Sequence, residues 1–246
     1  MKRRDVLLAI IALLVLWQLA AMIVGKPILP LPLTVVQALI RELPGDLGQH
    51  FTASFLRVIG GLALSIALAV PAGLVLGQSK HLNRIFSPVI YLLYPIPKVV
   101  LVPVILLFLG VGDLPKIVII FLILFFQILV LVRDQASAIR PELIQSVRSL
   151  GAGRRALFTY VYLPASLPAI LTALRQSVGT AVAVLYVAEL FATRYGLGYY
   201  IYISGSTYFD YPAMYAGVVA MSLLGLGMYF TVDGLERWLC KWQFAT

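Results

Sequence analysis

Charge is scarce in this chain. Of its 246 residues, 12% are Asp, Glu, Lys or Arg, while 61% are hydrophobic. A soluble domain carries about a quarter charged residues and under half apolar ones. A soluble enzyme or soluble binding module is therefore excluded. Cysteine is nearly absent, and the single Cys240 cannot build a disulfide framework. Two histidines and one cysteine are too few ligands for a zinc, haem or iron–sulfur site made from those residues. No G-x-x-x-x-G-K-[ST] stretch occurs, so the chain has no phosphate-cradling loop of that kind. Internal repeats and low-complexity tracts are missing as well. What fills the chain instead is long apolar runs. A bilayer core takes roughly 20 apolar residues per helical span, which leaves room here for about five to seven spans.

The runs predict an all-α membrane protein with six spans in one domain, residues 1–246. Lys2, Arg3 and Arg4 precede a first run over 6–24. A signal peptide would have a shorter apolar core and a small-x-small cleavage site, so the run reads as a retained span. Residues 25–54 read as a polar connection punctuated by Pro27, Pro30, Pro32, Pro44 and Gly45. Further spans are expected at about 55–77, 85–109, 116–132, 167–190 and 213–232. The third is interrupted by Pro95, Pro97 and Pro103, and the turn Gly110-Val111-Gly112-Asp113 precedes the fourth. Trp238 and Trp242 near the end suit a membrane interface.

The net charge of +9 could suggest nucleic acid in a soluble protein. Here it fits the rule that Lys and Arg gather in cytoplasmic segments. With both termini inside, twelve fall there: Lys2, Arg3, Arg4, Lys80, Arg84, Arg133, Arg140, Arg148, Arg154, Arg155, Arg237 and Lys241. Four fall outside: Lys26, Arg41, Lys116 and Arg194. No nucleic-acid partner is expected.

Residues 133–166 form the least hydrophobic long stretch, and a loop of that size between spans needs a purpose. Pro141 can open a helix at its first turn, with Glu142 favourable beside the helix N-terminus. Leu143, Val147 and Leu150 fall at i, i+4 and i+7, one apolar stripe. Ser146, Arg148 and Ser149 lie off it. Gly151 and Gly153 are expected to stop this helix at 150. A second short helix is expected over 154–162, closed by Leu163-Pro164. A lone amphipathic helix on the membrane surface would explain the stripe and the arginines. Two short helices hinged at glycine fit better a segment that seats its apolar face in a groove on a cytoplasmic partner.

The same residues carry a family resemblance. Gly151, followed ten positions on by Val161 and then by Leu163 and Pro164, is similar to the cytoplasmic signature of ABC-importer permease subunits. In this chain Gln145-Ser146-Val147 replaces the family's Glu-Ala-Ala triplet. The stretch Arg148-Ser149-Leu150-Gly151-Ala152 is also typical. Ser87-Pro88 through Pro95-Ile96-Pro97-Lys98, Leu101-Val102-Pro103 and Leu109-Gly110-Val111-Gly112 resembles the nitrate/sulfonate/taurine/bicarbonate branch. So does Ala188-Glu189-Leu190 followed by Gly196-Leu197-Gly198-Tyr199. The likeness covers about residues 50–240.

The resemblance implies a type I importer permease (MetI-like) fold and a multi-pass protein of a bacterial inner membrane. It implies transport of a small solute, such as nitrate, bicarbonate or an alkylsulfonate like taurine. It also implies a cytoplasmic ATPase dimer, an external substrate-binding protein and a second copy of the permease. No cofactor is expected on this chain; ATP and Mg would sit on the ATPase, so the chain itself is not an enzyme. The ATPase contact would fall on Glu142, Leu143, Gln145, Ser146, Val147, Arg148, Leu150, Gly151, Ala152, Leu163 and Pro164, with Leu163-Pro164 as a stiff junction to the fifth span.

Charges and polar groups inside spans are functional suspects. Lys98, Gln127, Ser177 and Glu189 are the candidates for the translocation pathway. Lys98 would serve an anion path or cap carbonyls freed by the proline break. Gln127 would bond solute or another helix. Glu189 closes the fifth span while Arg57 and Arg175 begin theirs, and pairing among them or with headgroups is expected. Ala165, Ala169, Ala173, Ser177 and Ala181 make a row of small residues for intrachain packing, or for a dimer or pore face. Six tyrosines over 194–212 form an outer aromatic belt or a short external helix. A membrane enzyme would gather carboxylates or histidines at one depth, whereas His50 and His81 fall on opposite sides. An ATP-independent channel or secondary transporter would lack the loop signature and show inverted repeats.

Overall fold

Long apolar runs have one way to satisfy their backbone in hydrocarbon, which is to close every hydrogen bond within a helix. The computed structural model describes residues 3–191 and 193–243, and every regular element among them is helical. Lys2 lies outside the described residues, as do the side chains of Arg3 and Arg154.

Helix α1 covers Arg3–Val24, α2 Pro32–Glu42, α3 Asp46–Gln78 and α4 Lys80–Leu93. A 3₁₀ turn at Lys98–Leu101 leads to α5, Val102–Leu109, and α6 covers Asp113–Ser137. Then come α7, Pro141–Ser149, and α8, Arg154–Leu157, which passes through a π-helical turn, Phe158–Tyr162, into α9, Leu163–Glu189. Helices α10, Leu197–Ser206, and α11, Tyr211–Leu239, complete the chain with a 3₁₀ turn at Lys241–Gln243.

Among the described residues, five helical stretches are long and apolar enough to cross a membrane: 4–24, 46–78, 113–137, 155–189 and 211–239. The pair Lys80–Leu93 and Lys98–Leu109, bent by 76°, would add a sixth. The break falls at Tyr94–Pro97, and Pro103 instead sits in the first turn of α5, where its missing N–H is harmless.

Two expectations need correction. Residues 25–54 are not a plain connection: Pro32 opens α2, and α3 begins at Asp46, nine residues before the apolar run at Phe55. Helix α2 has buried Val35 and Ala38 on one face, a short amphipathic pattern masked by the surrounding prolines. Leu163-Pro164 does not end a helix either. Helical structure is unbroken over 155–189. The Leu163 N–H reaches back to the Phe158 carbonyl, and this wider π turn accommodates Pro164 without a break.

The chain packs as two units, Met1–Phe55 with Thr193–Leu224, and Leu56–Ala192 with Gly225–Thr246. In the first, Trp17 of α1 meets Tyr215 of α11, ring centroids 5.9 Å apart. The start of α10 is held by side chains of α3: the Gly196 N–H donates to His50 Nδ1 at 2.8 Å and the Leu197 N–H to Ser54 Oγ at 2.8 Å. These satisfy amides that a helix start leaves open. In the second unit, α3 packs on α6 through glycines, and α6 lies along α9.

Candidate functional site

Segment 141–164 assembles from local rules. Pro141 starts α7, with Arg140 at its N-cap and Glu142 in the first turn. Gly151 has φ +85°, and its N–H donates to the Arg148 carbonyl at 2.9 Å. Only a residue without Cβ adopts that φ readily. Gly153 has no positive φ. Its carbonyl accepts from the Leu157 N–H at 3.0 Å, so it starts α8 rather than stopping α7.

The expected stripe divides in two. Leu157, Val161 and Tyr162 form a small buried core, and Ile139, Ile144, Val147 and Ala152 pack against it. Val147 thus faces inward with Ile144. Leu143 and Leu150 face out, 43% and 85% exposed. Glu142, Gln145, Ser146, Arg148 and Gly151 are exposed beside them, and the Ser149 hydroxyl bonds back to the Gln145 carbonyl at 3.0 Å. Leu163 is exposed and Pro164 half-buried within the continuous helix. The arrangement presents two leucines ringed by polar groups on a short, folded-back helix. Exposed leucines within a polar rim make this an amphipathic face.

The four candidates inside spans are differently placed. Lys98 Nζ donates to the carbonyls of Leu93, Tyr94 and Ile96 at 2.8, 3.0 and 3.1 Å and lies 4.6 Å from the Phe126 ring centre. An ammonium has three donors, and all three close the end of α4 at its break. Lys98 thus caps carbonyls at the break. The Ser177 hydroxyl is buried and bonded to the Ala173 carbonyl of its own helix at 2.8 Å. Gln127 is half-buried on α6.

Glu189 is fully buried and accepts from Arg57 Nη1 at 2.6 Å. Arg57 Nε also donates to Asp113 Oδ1 at 2.8 Å, and the nearby Lys116 is 1% exposed. Arg57 and Arg175 stand well inside α3 and α9. Arg175 Nη1 lies 3.0 Å from both Asp233 Oδ1 and Glu236 Oε2 of α11. These long-range pairs carry no sequence pattern; their only advance signal is that isolated charges in apolar helices need partners.

Between α6 and α9 lies a cleft of about 390 Å³, walled by Gln135, Thr172, Gln176 and the small residues Ala165, Ala169 and Ala173. The small-residue row is thus split, open at Ala165 and buried from Ala173 onward.

In the first unit, the tyrosine-rich stretch contains α10, with Tyr200 buried and Tyr202 exposed on it and Tyr208 exposed beyond its end. Burial, then the carboxylates of Glu42, Asp210 and Asp46 against the opposing Arg41, push the Tyr200 phenol up to about 12. A free phenol ionises near 10. The unfolded chain therefore ionises first, and stability falls as pH rises from about 10 toward 12. Tyr200→Phe should remove one late-titrating phenolate from the ultraviolet absorbance titration and soften that alkaline loss.

Long apolar helices with an amphipathic segment between two of them define a polytopic membrane protein. The chain belongs to the family of binding-protein-dependent transport system inner membrane components, whose model matches residues 65–242. A probable ABC transporter permease of Brucella abortus (strain 2308) is 33% identical, covering 89% of this chain and 88% of that protein. The taurine transport system permease protein TauC of Escherichia coli (strain K12) is 29% identical, covering 95% and 87%. Among solved structures, an inward-facing MetNI methionine ABC transporter matches with TM-score 0.70 at 20% identity, over 78% of this chain and 95% of that one.

Proposed function

We propose that this chain is the permease subunit of an ATP-driven importer of a bacterial cytoplasmic membrane, a single 246-residue permease domain of six spans with both termini in the cytoplasm. Two copies form the translocation pathway. A cytoplasmic ATPase dimer holding ATP and Mg drives it, and an external binding protein delivers the solute. The observation that carries this reading is the exposed Leu143–Leu150 face on α7, within a chain of this family. The solute is a small polar acid such as nitrate, bicarbonate or an alkylsulfonate, a reading supported by the taurine permease relative. The intramembrane cations Lys98, Arg57 and Arg175 already face carbonyls or carboxylates. Discrimination by charge therefore falls to the binding protein, while the α6–α9 cleft, with its amides and small side chains, forms part of a weakly binding path.

The test is co-purification. The tagged chain, expressed with its host's ATPases and extracted in mild detergent, should retain a P-loop ATPase at about one to one. Burying a leucine is worth about 1.5–3 kcal/mol. Leu143→Asp/Leu150→Asp should therefore lower ATPase retention by at least about tenfold while leaving the permease monodisperse. Retention of the ATPase by that double variant, or its absence from the unaltered chain, would sink the docking reading.

A further inference from the structure

The charge cluster at the end of α9 has no part in the docking surface, yet among the described residues it is the most deeply buried ionic group of the second unit. Glu189 is 0%, Lys116 1% and Arg57 4% exposed, whereas the side chain of Asp113 is 69% exposed. Arg57 on α3 joins the first turn of α6, through Asp113, to the last residue of α9, through Glu189.

Such a cluster is poor glue. Desolvating buried ions offsets most of their attraction, and apolar packing would hold three helices as well. Glu189 is also placed against the helix dipole, because a C-terminus disfavours an anion. The Arg57 guanidinium, 2.6 Å away, helps to hold the carboxylate there, beside the buried Lys116. A buried polar network in an awkward place selects one arrangement over another.

The geometry says which arrangement. Helical structure is continuous over 155–189, a rod of about 50 Å. One end carries the π turn against which α7 folds, and the other ends at Glu189. The turn that delivers Asp113 is exposed over 110–113, and its Gly110 and Gly112 have φ of +74° and +153°. Arg57 thus bridges an exposed acid and a buried one. Resting on the docking reading above, we infer that the Arg57–Glu189 pair is a latch that sets the far end of α9 and yields when α7 is driven. Glu189 is a positioning residue in the transport cycle. Arg57 keeps Asp113 while Glu189 is released.

The experiment follows the turn beside the latch. Val111 is 71% exposed, and a Val111→Cys/Cys240→Ala chain is purified with its ATPase. N-ethylmaleimide labelling rates are compared without nucleotide and with ATP, Mg and vanadate. A change of at least about threefold is expected in this background, and its loss is expected on adding Glu189→Gln. The glutamine keeps one acceptor for Arg57 but no charge. Arg57→Lys, which keeps the charge and gives up the shared fork, should also blunt the response and serves if the glutamine variant does not fold. A merely structural Glu189 would lower the melting temperature and leave the nucleotide response intact. That result, or a Val111→Cys rate indifferent to nucleotide, overturns the latch while a co-purifying ATPase leaves the docking reading standing. If no ATPase accompanies the unaltered chain, the two fall together.

Discussion

Gly77→Leu should abolish most of the folded yield, with a stability loss of about 3 kcal/mol or more in detergent, read by SDS titration or thermal melting. A Cβ on Gly77 would stand 2.5 Å from the Ala136 Cβ, 2.6 Å from the Arg133 carbonyl oxygen and 3.0 Å from the Ser137 nitrogen. Two of these atoms are backbone and cannot turn aside. The helices would have to separate. Gly61 and Gly73 repeat the situation further along α3: a Cβ would lie 2.5 Å from Ile120 Cγ2 at the first and 3.0 Å from the Leu129 carbonyl at the second. Helices in lipid associate through close van der Waals contact because hydrocarbon supplies no hydrophobic drive between them. Opening the α3–α6 seam therefore removes the main source of its stability. Gly227→Ala, where a Cβ would meet nothing within 4 Å, should stay within about 1 kcal/mol of the parent. Equal losses at both positions would refute the seam.

The second large effect lies on α9 and α11. Arg175→Met should destabilise by about 3–5 kcal/mol, because it strands the buried Glu236 carboxylate rather than because the ion pairs contribute that much. The Glu236 side chain is 8% exposed and that of Asp233 is 21% exposed. Asp233 keeps Arg237 at 3.0 Å, and Glu236 keeps only the weaker Thr172 hydroxyl contact at 3.3 Å. Arg175→Met/Glu236→Gln should recover most of the loss, since the remaining amide has no charge to desolvate. If the double variant is no more stable than the single one, buried charge is not the cause and the stacking of the Arg175 guanidinium on the Tyr229 ring is.

How far the chain could be read without its fold differs from element to element. The bounds of α7 were legible because they rest on two local facts, the fixed φ of Pro141 and the positive φ of Gly151. Its orientation was not. Leu143, Val147 and Leu150 share a face by spacing, but the core formed by Leu157, Val161 and Tyr162 accepts Ile144 and Val147 and turns the two leucines outward. Leu163-Pro164 read as a stop because proline usually ends a helix. The preceding π turn, which leaves no mark in composition, removed that conflict. Lys98 had two readings in the sequence, and the bend at 94–97 chose between them by aiming three carbonyls at its ammonium.

By itself the sequence determined that this is a helical membrane protein, where its apolar segments run, and that a hinged amphipathic segment interrupts them near residue 150. Each of these depends on residues close together in the chain, through hydropathy, helical period and the dihedral limits of proline and glycine. Only the tertiary structure decided that Arg57 meets Glu189, that His50 and Ser54 hold the start of α10, and that Gly61, Gly73 and Gly77 admit the backbone of α6. Those partners lie tens to more than a hundred residues apart. A charge or a glycine in a sequence states that it needs a partner or a close neighbour, and the packing of helices settles which one it receives.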